Sequence, residues 1–105
     1  GDGEGAVDDL RRAVALTADA PASNRIAFRA RIELANQLRS KGDVDAALAT
    51  TAELLDRLGR ALPPAHPYIT LARMRHVDML RRVGRHDEAV REARAAREAI
   101  ERDYG

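Results

Sequence analysis

The sequence contains no cysteine and no tryptophan, and aromatic residues make up only 3% of it. Without cysteine the chain can form no disulfide framework, no cysteine-based zinc site and no thiol nucleophile. It also lacks the run of about 18 apolar residues that a membrane-spanning helix needs. No basic start followed by an apolar stretch indicates a signal peptide. We therefore expect a cytoplasmic protein with no membrane partner.

An excess of charge of either sign is missing too. The chain has 18 basic and 17 acidic residues, which give a formal net charge of +1. Proteins that bind nucleic acid generally present a strongly basic surface, so we expect no nucleic-acid partner. Residues 73–85 do carry five arginines against one aspartate. A helical DNA-binding regulator domain is therefore kept as the less favoured alternative.

Helix-forming residues are abundant. Of the 105 residues, 21 are alanine, and 17 of the 18 basic residues are arginine. Both residue types rank among the strongest helix formers. A chain of this length has room for one hydrophobic core. We predict a single all-α domain over residues 1–105, with small side chains where its helices meet.

Proline and glycine divide the chain into five segments of helical length. The breaks fall at Pro21, at Gly42, in the stretch 63–67 and at Gly84. The predicted helices cover residues 4–18, 24–40, 43–60, 67–83 and 86–103. Three of the segments begin with side chains that can cap a helix N-terminus, namely Ser23 or Asn24, Asp43 and His66.

The chain repeats itself at a shift of 42 residues. Residues 25–62 and 67–104 are identical at eight positions: Ala30/Ala72, Arg31/Arg73, Leu38/Leu80, Arg39/Arg81, Gly42/Gly84, Asp45/Asp87, Ala47/Ala89 and Arg60/Arg102. The shared glycine lies between two predicted helices, and a shared leucine and a shared alanine lie about one turn on either side of it. These are the close-packing positions of a helix hairpin. The chain is thus divided into a partial repeat at 1–20 and two repeats at 21–62 and 63–105.

The pattern Leu34-Ala35-x-x-Leu38-x-x-x-Gly42-Asp43-x-Asp45-x-Ala47 resembles the tetratricopeptide repeat. The 42-residue length and the His66-Pro67 start are similar to the longer, kinesin-light-chain type of this family. The resemblance implies a right-handed α-solenoid of antiparallel helix hairpins that binds protein on its concave face. The aromatic positions usual in the family hold other residues here, namely Arg31, Thr51, Arg73 and Ala93.

In such a repeat the first helix of each hairpin lines the concave face, and the resemblance assigns ten positions to it. They are Ile32, Glu33, Asn36, Arg39 and Ser40 in one repeat and Met74, Arg75, Asp78, Arg81 and Arg82 in the next. Ile32 and Met74 stand at equivalent positions, and we expect them to form one exposed apolar anchor. Such an anchor among hydrogen-bonding groups is what a peptide-binding groove requires. Because guanidinium groups bind carboxylates bidentately, we expect an acidic protein or peptide partner.

No motif for catalysis, for a metal or for a cofactor is present. The three histidines, at positions 66, 76 and 86, have no partner at the spacing of a zinc site. Most carboxylates have an arginine three or four residues away, as in Glu53/Arg57, which is typical of a solvated helix face. We therefore predict a non-enzymatic interaction module of a larger bacterial regulatory or scaffold protein, and a purely architectural helical spacer is the alternative.

Two further predictions concern burial. The inward register predicts a core of Leu34, Ala35, Leu38, Ala47, Leu48, Leu54, Val77, Leu80, Ala89 and Val90. The last helix also has small or apolar residues suited to support a further repeat, namely Ala89, Val90, Ala93, Ala96 and Ile100. If both chain ends are cuts through a longer array, this face should cause weak self-association.

Overall fold

The computed structural model describes the backbone of residues 2–104 and the side chains of residues 5–103. It has five α-helices in the order α1 (Asp2–Leu16), α2 (Arg25–Ser40), α3 (Val44–Ala61), α4 (Pro67–Arg82) and α5 (His86–Tyr104). No strand occurs within residues 2–104. The prediction of an all-α chain with five helices is confirmed, and each predicted boundary lies within two residues of the observed one.

The N-terminal capping residues explain where three of the helices begin. Asn24, rather than its neighbour in sequence, caps α2, and Asp43 caps α3. Each accepts a hydrogen bond from the backbone N–H three residues further on, at 2.9 and 3.2 Å. His66 accepts one from the N–H of Tyr68 at 3.1 Å, directly before Pro67 at the start of α4. These bonds satisfy N–H groups that have no partner within the helix.

The glycines shared by the two repeats form the same turn. Gly42 and Gly84 have φ angles of 87° and 82°, a left-handed conformation that other residues rarely adopt. In each turn the N–H after the glycine bonds back to the carbonyl of the shared leucine, Leu38 or Leu80, at 2.9 Å. This is the Schellman end of a helix. The α2–α3 and α4–α5 connections are therefore equivalent in structure as well as in sequence.

Each helix packs against the next one along the chain, and α2 also contacts α4. Among the described residues, α1 makes no comparable contact with α3, nor does α3 with α5. The Cα trace spans 47 × 33 × 14 Å. In packed helices generally, neighbouring axes lie about 8–10 Å apart and the Cα atoms about 2.3 Å from each axis. A thickness of 14 Å therefore accommodates two layers of helices.

The core consists of two clusters of buried side chains. The first draws on all five helices and includes Val7, Leu34, Ala35, Leu38, Ala47, Leu48, Val77, Met79, Leu80 and Ala89. The second forms where α4 packs against α2 and α3, and includes Phe28, Ile32, Leu54, Leu58, Ile69 and Ala72. Nine of the ten predicted core residues are buried. The prediction for Val90 is wrong: this residue is 50% exposed, because it lies on a face of α5 that no described helix covers.

Arginine side chains hold the end of α1 against the rest of the fold. Arg31 of α2 is 8% exposed. It donates hydrogen bonds to Thr17 Oγ1 (3.0 Å) and to the carbonyl oxygens of Ala27 (2.8 Å), Val14 (3.4 Å) and Thr17 (3.5 Å). Arg57 of α3 donates to carbonyl oxygens in the turn 17–20. Positive charge at a helix C-terminus is favourable, so both arginines stabilise α1.

The shared alanines carry a first prediction. Ala47 and Ala89 are completely buried where the second helix of each hairpin begins. We expect Ala47→Leu or Ala89→Leu to lower the free energy of unfolding by about 1–3 kcal/mol, because the packed helices have no space for the added methylenes. Urea unfolding measures the loss. Ala49→Leu, on the exposed side of α3, is the control. Equal losses for Ala47→Leu and Ala49→Leu would contradict close packing here.

A polar pair links α3 and α4 inside the fold. His76 Nδ1 lies 2.6 Å from Thr51 Oγ1, and Thr51 is completely buried. Burial lowers the pKa of His76 below its ordinary value. Four charged groups also act on this pKa: Glu92 and Glu88 raise it, and Arg73 and Arg85 lower it. Burial is the largest of these effects, so the folded state disfavours the protonated histidine.

The lowered pKa predicts a stability that depends on pH. Between the ordinary histidine pKa of about 6.5 and the lower folded value, the unfolded chain binds more protons than the folded one. The free energy of unfolding should therefore fall as the pH drops from about 7.5 to about 5.5. Urea unfolding across this range should show a smaller fall for His76→Gln than for the parent. An unchanged pH dependence in His76→Gln would refute the assignment.

Candidate functional site

An open groove of about 590 Å³ runs along α4 and α5. We call it the α4–α5 groove. Its apolar surface comes mainly from Leu71 and Met74 of α4 and from Ala93, Ala96 and Ile100 of α5. Met74 is 63% exposed, although a methionine at a helix contact would normally be covered. The groove thus presents an uncovered apolar strip.

Charged side chains form the rim of this groove. Arg73, Arg75, Asp78 and Arg81 all line it, so three positive charges stand against one negative charge. The guanidinium of Arg73 is held by Glu92 at 3.0 Å. No described carboxylate lies within 4.0 Å of Arg75 or Arg81. These two arginines are therefore available to a ligand that carries negative charge.

The residues predicted for the concave face divide sharply between the two repeats. Four of the five in α4, namely Met74, Arg75, Asp78 and Arg81, line the groove. The fifth, Arg82, does not line it but contacts Asp78 through a 3.0 Å ion pair. The structure therefore brings most of the α4 set together, and it adds α5 as the second wall.

The α2 set is not part of this groove. The expectation that Ile32 is an exposed anchor is wrong. Ile32 is 8% exposed and packs in the second core cluster, because α4 covers this side of α2. Glu33 is exposed and lies 3.7 Å from Arg29. Asn36 and Arg39 are half-buried, and Ser40 is exposed. The expected pairing of Ile32 with Met74 in one apolar surface does not occur.

Five groove residues were missed by the sequence reasoning: Pro64, Ile69, Thr70, Leu71 and Arg73. Ala93, Ala96 and Ile100 were assigned to a self-association face and not to the binding site. For Thr70, Ala93, Ala96 and Ile100 the 42-residue shift contained the missing signal, since it relates these positions to residues that are buried in the first repeat. It gives no such signal for Leu71, whose counterpart Arg29 is exposed. The predicted self-association face is only partly uncovered, because Ala89 is completely buried.

The described side chains of residues 5–103 contain no group of three metal-ligating residues placed to hold a metal ion. None of the five helices, as far as they are described, combines the length and apolarity needed to cross a membrane. No protein-family model matches the chain, and neither a curated protein nor a solved structure matches it. What the chain does must therefore follow from its own residues and geometry.

Proposed function

We propose that this chain is a non-enzymatic protein-interaction module that binds a segment of a partner protein in the α4–α5 groove. One observation carries the proposal: an apolar strip is open to solvent below two arginines that have no described carboxylate partner. Single exposed apolar residues are common on protein surfaces, whereas a continuous apolar strip with a polar rim is typical of an interaction site.

The proposed architecture is an α-solenoid of helix hairpins similar to tetratricopeptide repeats. The two equivalent glycine turns and the packing of each helix against the next support it. So do the contacts between α2 and α4, which are the first helices of successive hairpins. Modules of this kind serve as binding parts of larger proteins, and we propose this role in a bacterial regulatory or scaffold protein.

The charged groups of the groove favour binding over catalysis. General acid–base chemistry needs a group sheltered from counter-charges and close to the substrate. Asp78 is the one described carboxylate that lines the groove, and it is exposed and paired with Arg82 at 3.0 Å. The remaining charged residues there are arginines, which serve to recognise carboxylates.

A display screen tests the proposal. A library of random peptides is selected against the domain, and the enriched peptides are then measured against two variants. Met74→Glu places a charge in the groove, and Ile26→Glu does the same at a position that is 70% exposed and outside the groove. We expect Met74→Glu to lose the selected peptides and Ile26→Glu to retain them. If no peptide is enriched, or if both variants bind equally, the architectural spacer becomes the better proposal.

A further inference from the structure

The first repeat contains its own version of the α4–α5 groove, and there it is occupied. Five residues of α2 and α3 lie beneath α4: Phe28, Ile32, Thr51, Leu54 and Leu58. Their exposed fractions are between 0 and 8%. Ile69 and Ala72 of α4 pack onto the apolar members of this set, and His76 contacts Thr51. A helix therefore covers this surface within the chain itself.

The repeat shift maps each of these five positions onto the α4–α5 groove. Adding 42 gives Thr70, Met74, Ala93, Ala96 and Ile100, and all five line the groove. Their counterparts are buried, whereas Thr70, Met74 and Ala93 are exposed and the other two half-buried. All five side chains differ between the two grooves, and a helix of this chain covers only the first groove among the described residues.

We infer that the α4–α5 groove binds an amphipathic α-helix of a partner protein, in the position that α4 takes on the first repeat, with carboxylates facing Arg75 and Arg81. This inference rests on the proposed function and names the kind of ligand. Helices that lay an apolar face into a groove are a common mode of protein recognition.

The spacing of the α4 contacts shows why a helix fits. Ile69, Ala72 and His76 are three and four residues apart, and so they lie on one side of a helix. In an extended strand neighbouring side chains alternate between two sides, so Ile69 would point to one side and Ala72 and His76 to the other. The residues that line the α4–α5 groove occupy the same repeat positions as the surface beneath α4. The groove is therefore suited to a ligand whose contact residues have the spacing of Ile69, Ala72 and His76.

The floor of the groove also specifies which side chains fit. Ala93 replaces Thr51 and has no hydroxyl to satisfy a histidine, so an apolar residue is preferred where α4 has His76. Ala96 replaces Leu54 and is smaller, which leaves space for a side chain larger than Ala72. The flexible Met74 can adapt to the shape of that side chain.

The arginines define the side on which the helix must carry acid. Tyr68 stacks on Phe28 with ring centroids 4.0 Å apart, so the Tyr68 side of α4 faces α2. Positions 75 and 82 lie on that same side, since they follow Tyr68 at steps of two helical turns. In the bound helix the equivalent positions face the groove side of α4, where Arg81 follows Met74 by two helical turns. Arg75 is placed on the α2 side of α4 by its position, but its long side chain also lines the groove. Glutamates at those positions of the bound helix are placed to form charge-assisted pairs.

A set of peptides based on the sequence of α4 tests the inference directly. The first peptide copies residues 67–82 with the changes Ala72→Leu, His76→Leu, Arg75→Glu and Arg82→Glu. The second adds proline at position 74, which lies on the side away from the groove, so it keeps the contact residues but cannot form the helix. The third carries lysine at positions 75 and 82. Binding is measured by calorimetry, and helix formation by circular dichroism.

We expect the first peptide to gain helix on binding and to bind at least about tenfold more tightly than the proline peptide. Met74→Glu in the protein should weaken it to a similar degree, and Ile26→Glu should not. Equal binding of the proline peptide would overturn the helical ligand and leave the proposed function standing. Absence of binding by all three peptides would overturn the inference, while the display screen still decides the proposed function.

A charge swap tests the role of the arginines. In the double variant Arg75→Glu/Arg81→Glu, the preference should reverse in favour of the lysine peptide, and raising the salt concentration should reduce both preferences. An unchanged preference would overturn the acidic part of the inference.

Sedimentation of the protein alone tests whether a second copy of the chain occupies the groove. A dimer that Met74→Glu dissociates would assign the groove to self-association and overturn the partner helix.

Discussion

Replacing Leu58 by alanine is expected to lower the free energy of unfolding by about 2–5 kcal/mol. Leu58 is completely buried in the second core cluster, where α4 packs against α2 and α3. Truncation removes its contacts with that cluster and leaves a cavity that well-packed neighbours cannot fill. Urea unfolding followed by circular dichroism measures the loss, and hydrogen exchange should show weaker protection in α4.

The repeat supplies the matched control for this experiment. Ile100 is the counterpart of Leu58 in the second repeat and lies half-buried in the α4–α5 groove. Because no described helix covers it, Ile100→Ala should cost less than about 1 kcal/mol. Similar losses for both variants would show that the two positions are equally covered in solution. That result would remove the open groove on which the proposed function depends.

The helices could be predicted from the sequence because their ends depend on local chemistry. Asn24, Asp43 and His66 cap a helix through bonds that span two or three residues. Gly42 and Gly84 end a helix because they adopt positive φ angles that other residues avoid. None of these features requires knowledge of the distant parts of the chain.

The site was predicted less well because burial depends on which helix lies next to a residue. Ile32 and Met74 occupy the same register and have similar side chains, yet one is 8% and the other 63% exposed. Leu48 and Val90 differ in the same way, with exposed fractions of 6% and 50%. The repeat shift identifies such pairs correctly. The shift does not show that α4 covers the member of each pair in the first repeat and that no described helix covers the member in the second.

Arg31 illustrates a role that composition and spacing could not reveal. It stands at a position that is usually aromatic in the tetratricopeptide repeats, which the sequence resembles. A charged residue at this position gave no reason to expect burial. In the structure its guanidinium turns toward α1 and meets only oxygen acceptors of residues 14–27. Burial, and to a smaller extent the charge of Arg57, lowers the pKa of Arg31. A buried charge of this kind is tolerated because its donors are satisfied.

Replacing Arg31 by methionine is therefore expected to lower the free energy of unfolding by about 2–4 kcal/mol. Methionine keeps an unbranched apolar stem but offers no donor, so carbonyl groups at the end of α1 lose their partners. The loss should be local as well as global. Hydrogen exchange in residues 5–20 should rise further than exchange in α3 and α4.

Arg73 is the counterpart of Arg31 in the second repeat. Comparing Arg73→Met with Arg31→Met separates the effect of the lost hydrogen bonds from the effect of the lost charge. The guanidinium of Arg73 makes one ion pair, with Glu92 at 3.0 Å, and that pair is partly exposed. Arg73→Met should cost less than about 1 kcal/mol, as is usual for such pairs. If Arg31→Met costs no more than Arg73→Met, then Arg31 does not hold α1 in place. The packing of Val7 against the first core cluster and the hydrogen bonds of Arg57 would then be what attaches α1 to the repeats.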